Sequence, residues 1–318
     1  MSNHQPAQIV VSGSLAYDQI MDFPGKFADH ILPDQIHQLN LSFTLRRLRS
    51  SFGGTAGNIA YNLALLQEKP TILGVVGSDF LNYRLWLEKK GLDLSRLGVD
   101  KKSLTAAAYI MTDQVDNQIT GFYPGPQLAN YPKQAARLKN INLAIIAPED
   151  KKRMLAYAAI YQENKVPYIF DPGQMVITFS AIELRRVIKG ARVLIGNDYE
   201  ISLIAKNLNL DLLSLAGLVE ILVITQGSRG SEIYQGAKKI KIKPAKPKNT
   251  SDPTGAGDAY RAGLIKGLIN GYNLKICGQL AGLVSVYTVE KYGTQTHTFS
   301  LKDLRSRYQQ NFQEKLFI

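Results

Sequence analysis

Short apolar runs rich in β-branched residues recur between longer stretches of helical periodicity. That alternation narrows the possible folds more than any other feature of the chain. The runs are Ile9–Ser12, Thr71–Val76, Leu143–Ala147, Tyr168–Asp171, Val193–Gly196 and Ile221–Thr225, each four to six residues long and almost wholly apolar. A strand that is apolar on both sides of its pleat has to be covered on both faces, as in a parallel sheet layered between helices. The intervening segments carry helical spacing. Gly57–Leu66 places Ile59, Leu63 and Leu66 on one face, and Lys151–Asn164, Thr178–Lys189 and Leu274–Tyr292 repeat the pattern. Together they predict an α/β fold, a doubly wound, mostly parallel sheet flanked by helices.

Two regions depart from the alternation. Residues 15–48 hold alternating stretches such as Leu39–Leu48 and no long helix. Residues 103–124 read as a hairpin, with Ala107–Thr112 and Gln118–Tyr123 on either side of the polar turn Asp113–Asn117. Two such insertions predict a small antiparallel sheet lying over the α/β body as a lid. The expected division is an α/β body of residues 1–14, 49–102 and 125–318 and a β-sheet lid of residues 15–48 and 103–124. Phe43, Phe122 and Tyr123 in the lid are candidates for stacking on a base, with ordinary hairpin packing as the alternative.

Composition removes several classes. A chain of 318 residues with 45% apolar content and 27 Phe and Tyr residues is not a disordered protein. Its single cysteine, Cys277, excludes an internal disulfide framework and a cysteine-based zinc site, and its place on an apolar helix face suits a buried small hydrophobe. No apolar run approaches the ~18 residues of a membrane span. Met1–Val11 lacks a basic region followed by a long apolar stretch, which argues against a secretory leader. The chain therefore reads as a soluble protein of a reducing cytoplasm. His4, His30, His37 and His297 show no metal-ligand spacing and read as surface or lid residues.

Four local patterns carry chemistry. The strongest is Asp252-Pro-Thr-Gly-Ala-Gly-Asp258, at the start of the helical stretch Ala256–Ile269. Glycines there let backbone N–H groups converge, and the helix N-terminus adds partial positive charge, so the segment suits a phosphate. Asp258 in the first helical turn would stand beside that anion, placed to take the proton of an attacking hydroxyl. The alternative is a first-turn acid complementing the helix dipole. The second pattern is Phe52-Gly-Gly-Thr-Ala-Gly-Asn58, in which paired glycines admit a ligand to the backbone and Asn58 suits sugar hydroxyls. The third is Gly196-Asn-Asp-Tyr-Glu200, where Asn197 and Glu200 offer oxygens for Mg²⁺ or simply cap a helix. The fourth is the glycine-rich turn Thr225–Gly230.

Taken in order, Gly53-Gly54…Asn58, Asn197…Glu200, Thr225…Gly227…Gly230 and Asp252-x-Thr-Gly-Ala-Gly-Asp258 resemble the ribokinase-like (PfkB) family of sugar and nucleoside kinases. The likeness runs from Gly13 to about Gln295. Gly13-Ser-Leu-Ala-Tyr-Asp18 also fits the family's first strand and substrate aspartate. The resemblance implies a ribokinase-like fold and ATP as phosphoryl donor. It implies Asp258 as general base, with Gly255, Ala256 and Gly257 as the anion hole and Thr254 beside them on the nucleotide side. It implies Asn197 and Glu200 governing Mg²⁺ through water, and Thr225 and Gly227 contacting the nucleotide. Asp18, Gly53, Gly54 and Asn58 would form the acceptor site. A monovalent cation near Asp252 and Gly293, as in some relatives, stays open. Pro253 and Tyr260 replace the common Thr and Phe of the family without removing an atom used above. The overall look is closest to adenosine and other nucleoside kinases.

The expected reaction is transfer of the ATP γ-phosphoryl group to the 5′-hydroxyl of a nucleoside. The expected partner is a small-molecule nucleoside or sugar, with no nucleic acid, no membrane, and a monomeric or homodimeric chain. One rival keeps the fold and takes ribose, fructose or a sugar phosphate, with Arg46, Arg47 and Arg49 available for the phosphate. The other follows from the net charge of +12. Six positive charges, Lys238, Lys239, Lys241, Lys243, Lys246 and Lys248, fall within eleven residues. Their alternation with Ile and Pro suits an exposed edge strand rather than a nucleic-acid platform, which would interleave aromatics.

Overall fold

The computed structural model describes residues 8–31, 40–115, 117–128 and 137–318; His4 and His37 lie outside them. In chain order the elements are β1 (Ile9–Ser12), β2 (Ala16–Asp22), β3 (Arg47–Gly53), α1 (Thr55–Leu65), β4 (Thr71–Leu73), β5 (Val75–Val76), α2 (Leu81–Lys89), β6 (Gly98–Val99), β7 (Ala106–Thr112) and β8 (Gln118–Tyr123). There follow β9 (Leu143–Ile146), α3 (Lys151–Glu163), β10 (Tyr168–Phe170), α4 (Ala181–Gly190), β11 (Val193–Asn197), α5 (Asp198–Leu208), α6 (Leu212–Ala216) and β12 (Ile221–Thr225). The hairpin β13 (Ser231–Gln235) and β14 (Lys238–Ile242) precedes α7 (Ala256–Ile269), α8 (Leu274–Val289) and α9 (Leu301–Phe312).

Eight strands form the main sheet in the order β14-β13-β12-β11-β10-β9-β1-β4. The pairs from β12 to β4 are parallel, and the β13–β14 hairpin adds antiparallel strands at one edge. The two-residue period of the pleat divides each apolar run between two cores. Ile9 and Val11 pack with Ile59, Leu264 and Leu280 beneath α1, α7 and α8. Val10 packs with Met154, Leu184 and Ile204 beneath α3, α4 and α5. The run Thr71–Val76 is not one strand. It breaks at Gly74, where the chain leaves the main sheet after β4 and β5 pairs with β6. The helix expected from Thr178 starts at Ala181, because Ser180 and Glu183 form a reciprocal capping box there. Strand β14 is the edge strand of the Lys-rich run, with Lys239 paired to Glu232 at 2.7 Å.

The small sheet has the order β3-β2-β7-β8. It is mixed, not antiparallel as expected. Each insertion is an antiparallel pair, but β2 and β7 lie side by side and run parallel. Both strands leave the body in the same direction, which imposes that pairing. Of the segment Leu39–Leu48, Leu39 lies outside the described residues and only Arg47 and Leu48 are in a strand; β3 is Arg47–Gly53 and runs across the expected boundary at residue 48. Phe43 packs on Phe23, Phe27 and His30. His297 is not a surface residue. It is buried, with Nε2 within 2.8 Å of Asn62 Oδ1 and 3.2 Å of Thr288 Oγ1. Burial pushes its pKa down to about 4. Among the described residues no helix is long and apolar enough to cross a membrane.

Candidate active site

The carboxyl ends of β1, β11 and β12 lead directly into segments singled out in the sequence, and that of β10 leads into Asp171. That edge is where open α/β sheets bind ligands, because the strands stop there and the loops diverge. The small sheet joins the body at the same edge through Gly13–Leu15 and Gly53–Gly54.

Asp258 stands in the first turn of α7, whose N-cap is Gly255. Gly255 has φ 77°, a left-handed conformation that glycine adopts without a Cβ penalty, and a Cβ there would come within 3.0 Å of Thr294. The turn is tied down from behind. Asp252 Oδ1 accepts from the Thr254 N–H at 2.9 Å, and Oδ2 accepts from the Gly293 N–H at 3.0 Å. The Ala256 N–H is used within the turn, on the Pro253 carbonyl at 3.1 Å. Gly257 faces solvent at the positive end of the helix.

Asn58, on α1 and 4% exposed, donates from Nδ2 to Asp258 Oδ2 at 2.8 Å. Two motifs 200 residues apart thus meet side chain to side chain. Asp18, on β2, lies against Gly53 of β3, where a Cβ would come 2.3 Å from Asp18 Oδ2. Any larger residue at Gly53 would displace the carboxylate. Gly54 is the N-cap of α1. Burial, and then the charge of Asp252, push the Asp18 carboxyl up to about 6. Burial pushes Asp258 up to about 7. The Asn58 hydrogen bond and Arg261 oppose that rise, while Asp171 and Asp18 add to it.

Asp171 and Arg261 were not singled out in the sequence. Arg261 donates through Nε to Asp171 Oδ2 at 2.6 Å and through Nη2 to Asp171 Oδ1 at 2.8 Å, and both side chains are buried. Signals for both exist: Asp171 ends an apolar strand just before Pro172, and Arg261 follows Asp258 by three residues, on the same helix face. A lone arginine in a helix and an acid at a strand end are too common to stand out unpaired.

Asn197 and Thr225 are register partners at the ends of β11 and β12. Asn197 Oδ1 accepts from the Glu200 N–H at 2.8 Å and Glu200 Oε2 accepts from the Asn197 N–H at 2.8 Å, the capping box of α5. Thr225 Oγ1 donates to the Gly196 carbonyl at 3.4 Å. Gly227 has φ 57° and open space around it. Burial, followed by the charge of Asp171, raises the Glu200 pKa against the Asn197 N–H and Arg261, so this corner and Asp258 share one electrostatic environment. Among the described residues no group of three or more acids, histidines or cysteines could hold a metal. Mg²⁺ keeps most of its water and takes one or two carboxylates with substrate phosphates, and Glu200 beside Asn197 fits that demand.

Asp18, Ile20, Arg49, Ala108, Ile110 and Phe122 share one face of the small sheet by register, and Tyr17, Phe52, Ala107 and Tyr123 share the other. Phe122 therefore lies on the Asp18 side and Tyr123 on the opposite side. Arg49 is paired with Asp22 at 3.4 Å.

The family model for pfkB family carbohydrate kinases matches residues 14–300. A nucleoside kinase of Methanothermobacter thermautotrophicus is 34% identical over 271 residues, covering 83% of this chain and 86% of its own. The structure of the Burkholderia thailandensis nucleoside kinase in complex with inosine superposes with a TM-score of 0.85 at 34% identity, covering 96% of this chain and 99% of the other. The same enzyme in complex with ADP-inosine gives a TM-score of 0.83 at 35% identity, covering 96% and 97%.

Proposed function

The chain belongs to the pfkB family of carbohydrate kinases, and from that premise we propose that it transfers the γ-phosphoryl group of ATP to the 5′-hydroxyl of a nucleoside. The observation that carries this reading is the 2.8 Å contact of Asn58 with Asp258. It sets an acceptor-site side chain against a carboxylate at the anion-binding end of α7. Relatives named as nucleoside kinases, and the Burkholderia enzyme's complexes with inosine and ADP-inosine, support the choice of acceptor and donor.

In the proposed step the acceptor oxygen forms a bond to the γ-phosphorus as the bond to the bridging oxygen breaks. ADP leaves with the bonding electrons, and the hydroxyl proton passes to Asp258. Asp18 and Asn58 hold the ribose so that the hydroxyl faces the phosphate. Gly255 and Gly257 cradle the transferred group at the helix N-terminus, with Thr254 beside them and the Ala256 N–H held on the Pro253 carbonyl. Asn197, Thr225 and Gly227 hold the nucleotide. Glu200 and Asn197 would hold Mg²⁺ through water, and the ion would supply charge neutralisation on the phosphates. The α/β body carries the nucleotide. The small sheet of β3, β2, β7 and β8 closes over the acceptor and excludes water.

A coupled ADP-release assay over adenosine, inosine, guanosine, cytidine, ribose, fructose and fructose 6-phosphate tests the acceptor. Nucleosides are expected to be turned over with the highest kcat/KM, and Asp18→Asn to raise their KM. Preferred turnover of fructose 6-phosphate would replace this acceptor, with Arg49 leaving Asp22 for the sugar phosphate.

The pH dependence follows from Asp258. Its raised pKa means that the protonated, inactive form persists up to about pH 7. A general base works only when ionised, so kcat/KM is expected to fall as pH drops through about 7 and to level off above it. A profile flat down to the usual carboxylate range would remove Asp258 from that role.

A further inference from the structure

Behind the acceptor pocket a chain of hydrogen bonds runs from the sole tryptophan to the proposed base. Trp86 Nε1 donates to Gln295 Oε1 at 3.1 Å. Gln295 Nε2 donates to Asn58 Oδ1 at 3.0 Å and to the Tyr83 hydroxyl at 2.5 Å. The Tyr83 hydroxyl donates onward to the Gly53 carbonyl at 2.9 Å. Asn58 Nδ2 completes the chain on Asp258 Oδ2 at 2.8 Å.

The direction of this chain is set at one end. An indole N–H can only donate. It therefore turns the Gln295 carbonyl toward Trp86 and the Gln295 amide toward Asn58 and Tyr83. That amide in turn requires the carbonyl end of Asn58, which leaves the amide end for Asp258. A carboxamide has little preference of its own between its two ends, because oxygen and nitrogen are almost the same size. Reversed, Asn58 would set its carbonyl oxygen against the Asp258 carboxylate and lose the donor.

We propose that Gln295 is a positioning residue for phosphoryl transfer: anchored by Trp86, it holds the Asn58 carboxamide in the orientation that donates to Asp258. It acts through Asn58 and belongs to neither glycine-rich motif. It lies beyond α8, 3% exposed and 237 residues from Asn58. The inference rests on the reading of Asp258 as the base. The groups that act on Asp258 are Asn58 from α1, Arg261 on its own helix, Asp171 after β10 and Asp18 from β2, and Asp258 in turn acts on Tyr83. Of these, only Asn58 and Arg261 favour the ionised carboxylate.

The test is a double-variant cycle in the full chain with ATP and the fastest of the four nucleosides assayed above. Gln295→Met keeps the side-chain length and removes the donors. It is expected to lower kcat/KM for the nucleoside roughly tenfold to hundredfold, with KM for ATP unchanged, since misplacement far from the chemistry costs rates of that order. The acid limb of the pH profile is expected to move to higher pH. In an Asn58→Ala background the same substitution is expected to change neither. Trp86→Phe, which removes only the anchor, is expected to act in the same direction with a smaller effect. Equal effects of Gln295→Met in both backgrounds, or unaltered kcat/KM in the parent, would overturn the proposal. Thermal unfolding of each variant shows that the protein assayed is folded. Asp258→Asn, measured alongside, reports on the underlying reading: retained turnover there removes the base, and this inference with it.

Discussion

Asp258→Asn is expected to lower turnover by roughly 10²–10⁴-fold, the usual worth of a positioned general base, while ATP binds almost as before. The substitution keeps shape and position. The carboxamide oxygen still accepts from Asn58 Nδ2, and Gly255 still starts the helix, so the backbone amides of that turn stay where they are. What is lost is the proton acceptor. Steady-state kinetics with an independent measure of ATP affinity separates the two effects. A variant that kept most of its turnover would show that Asp258 is only a first-turn acid complementing the helix dipole.

Arg261→Met is expected to cost about 3–5 kcal/mol of stability, because it leaves the Asp171 carboxylate buried without its partner. Among the described residues, Arg261 supplies both of that carboxylate's hydrogen bonds, at 2.6 and 2.8 Å. Pairing the change with Asp171→Leu removes the stranded charge and is expected to recover much of the loss, since an apolar replacement of a buried ion pair is often close to neutral. Urea unfolding of the two variants measures both. A midpoint for Arg261→Met within about 1 kcal/mol of the parent would mean that Asp171 is hydrated or re-paired, and that Arg261 does not tie β10 to α7. The kinetic consequence has a definite sign. Arg261 favours the ionised form of Asp258, so its removal moves the acid limb of kcat/KM to higher pH.

Much of this architecture was legible from local pattern. Runs such as Ile9–Ser12 and Val193–Gly196 are apolar on both sides of the pleat, and both sides are buried in separate cores. The hairpin of β7 and β8 could be read from its polar turn. The parallel pairing of β2 with β7 could not, because it joins segments some ninety residues apart whose register depends on where the body releases them. His297 reads as a surface residue in the sequence, and its burial escapes that reading for a related reason. A histidine in a short polar-looking segment gives no hint of Asn62 and Thr288, which reach it from two different helices.

The site divides the same way. Asp252–Asp258 carries its chemistry locally: glycines that permit a left-handed start, a helix to polarise it, and an acid in the first turn. By sequence alone this segment pointed to a phosphate and a base, and with the other three motifs in order it pointed to a kinase. Only the tertiary structure brought Asn58 to Asp258, enclosed Arg261 with Asp171, and linked Gln295 to both Trp86 and Asn58. These contacts join residues 90 to 237 positions apart. Hydrogen-bond partners at that separation are chosen by packing, and the raised pKa of Asp258 comes first from burial, which no stretch of sequence states.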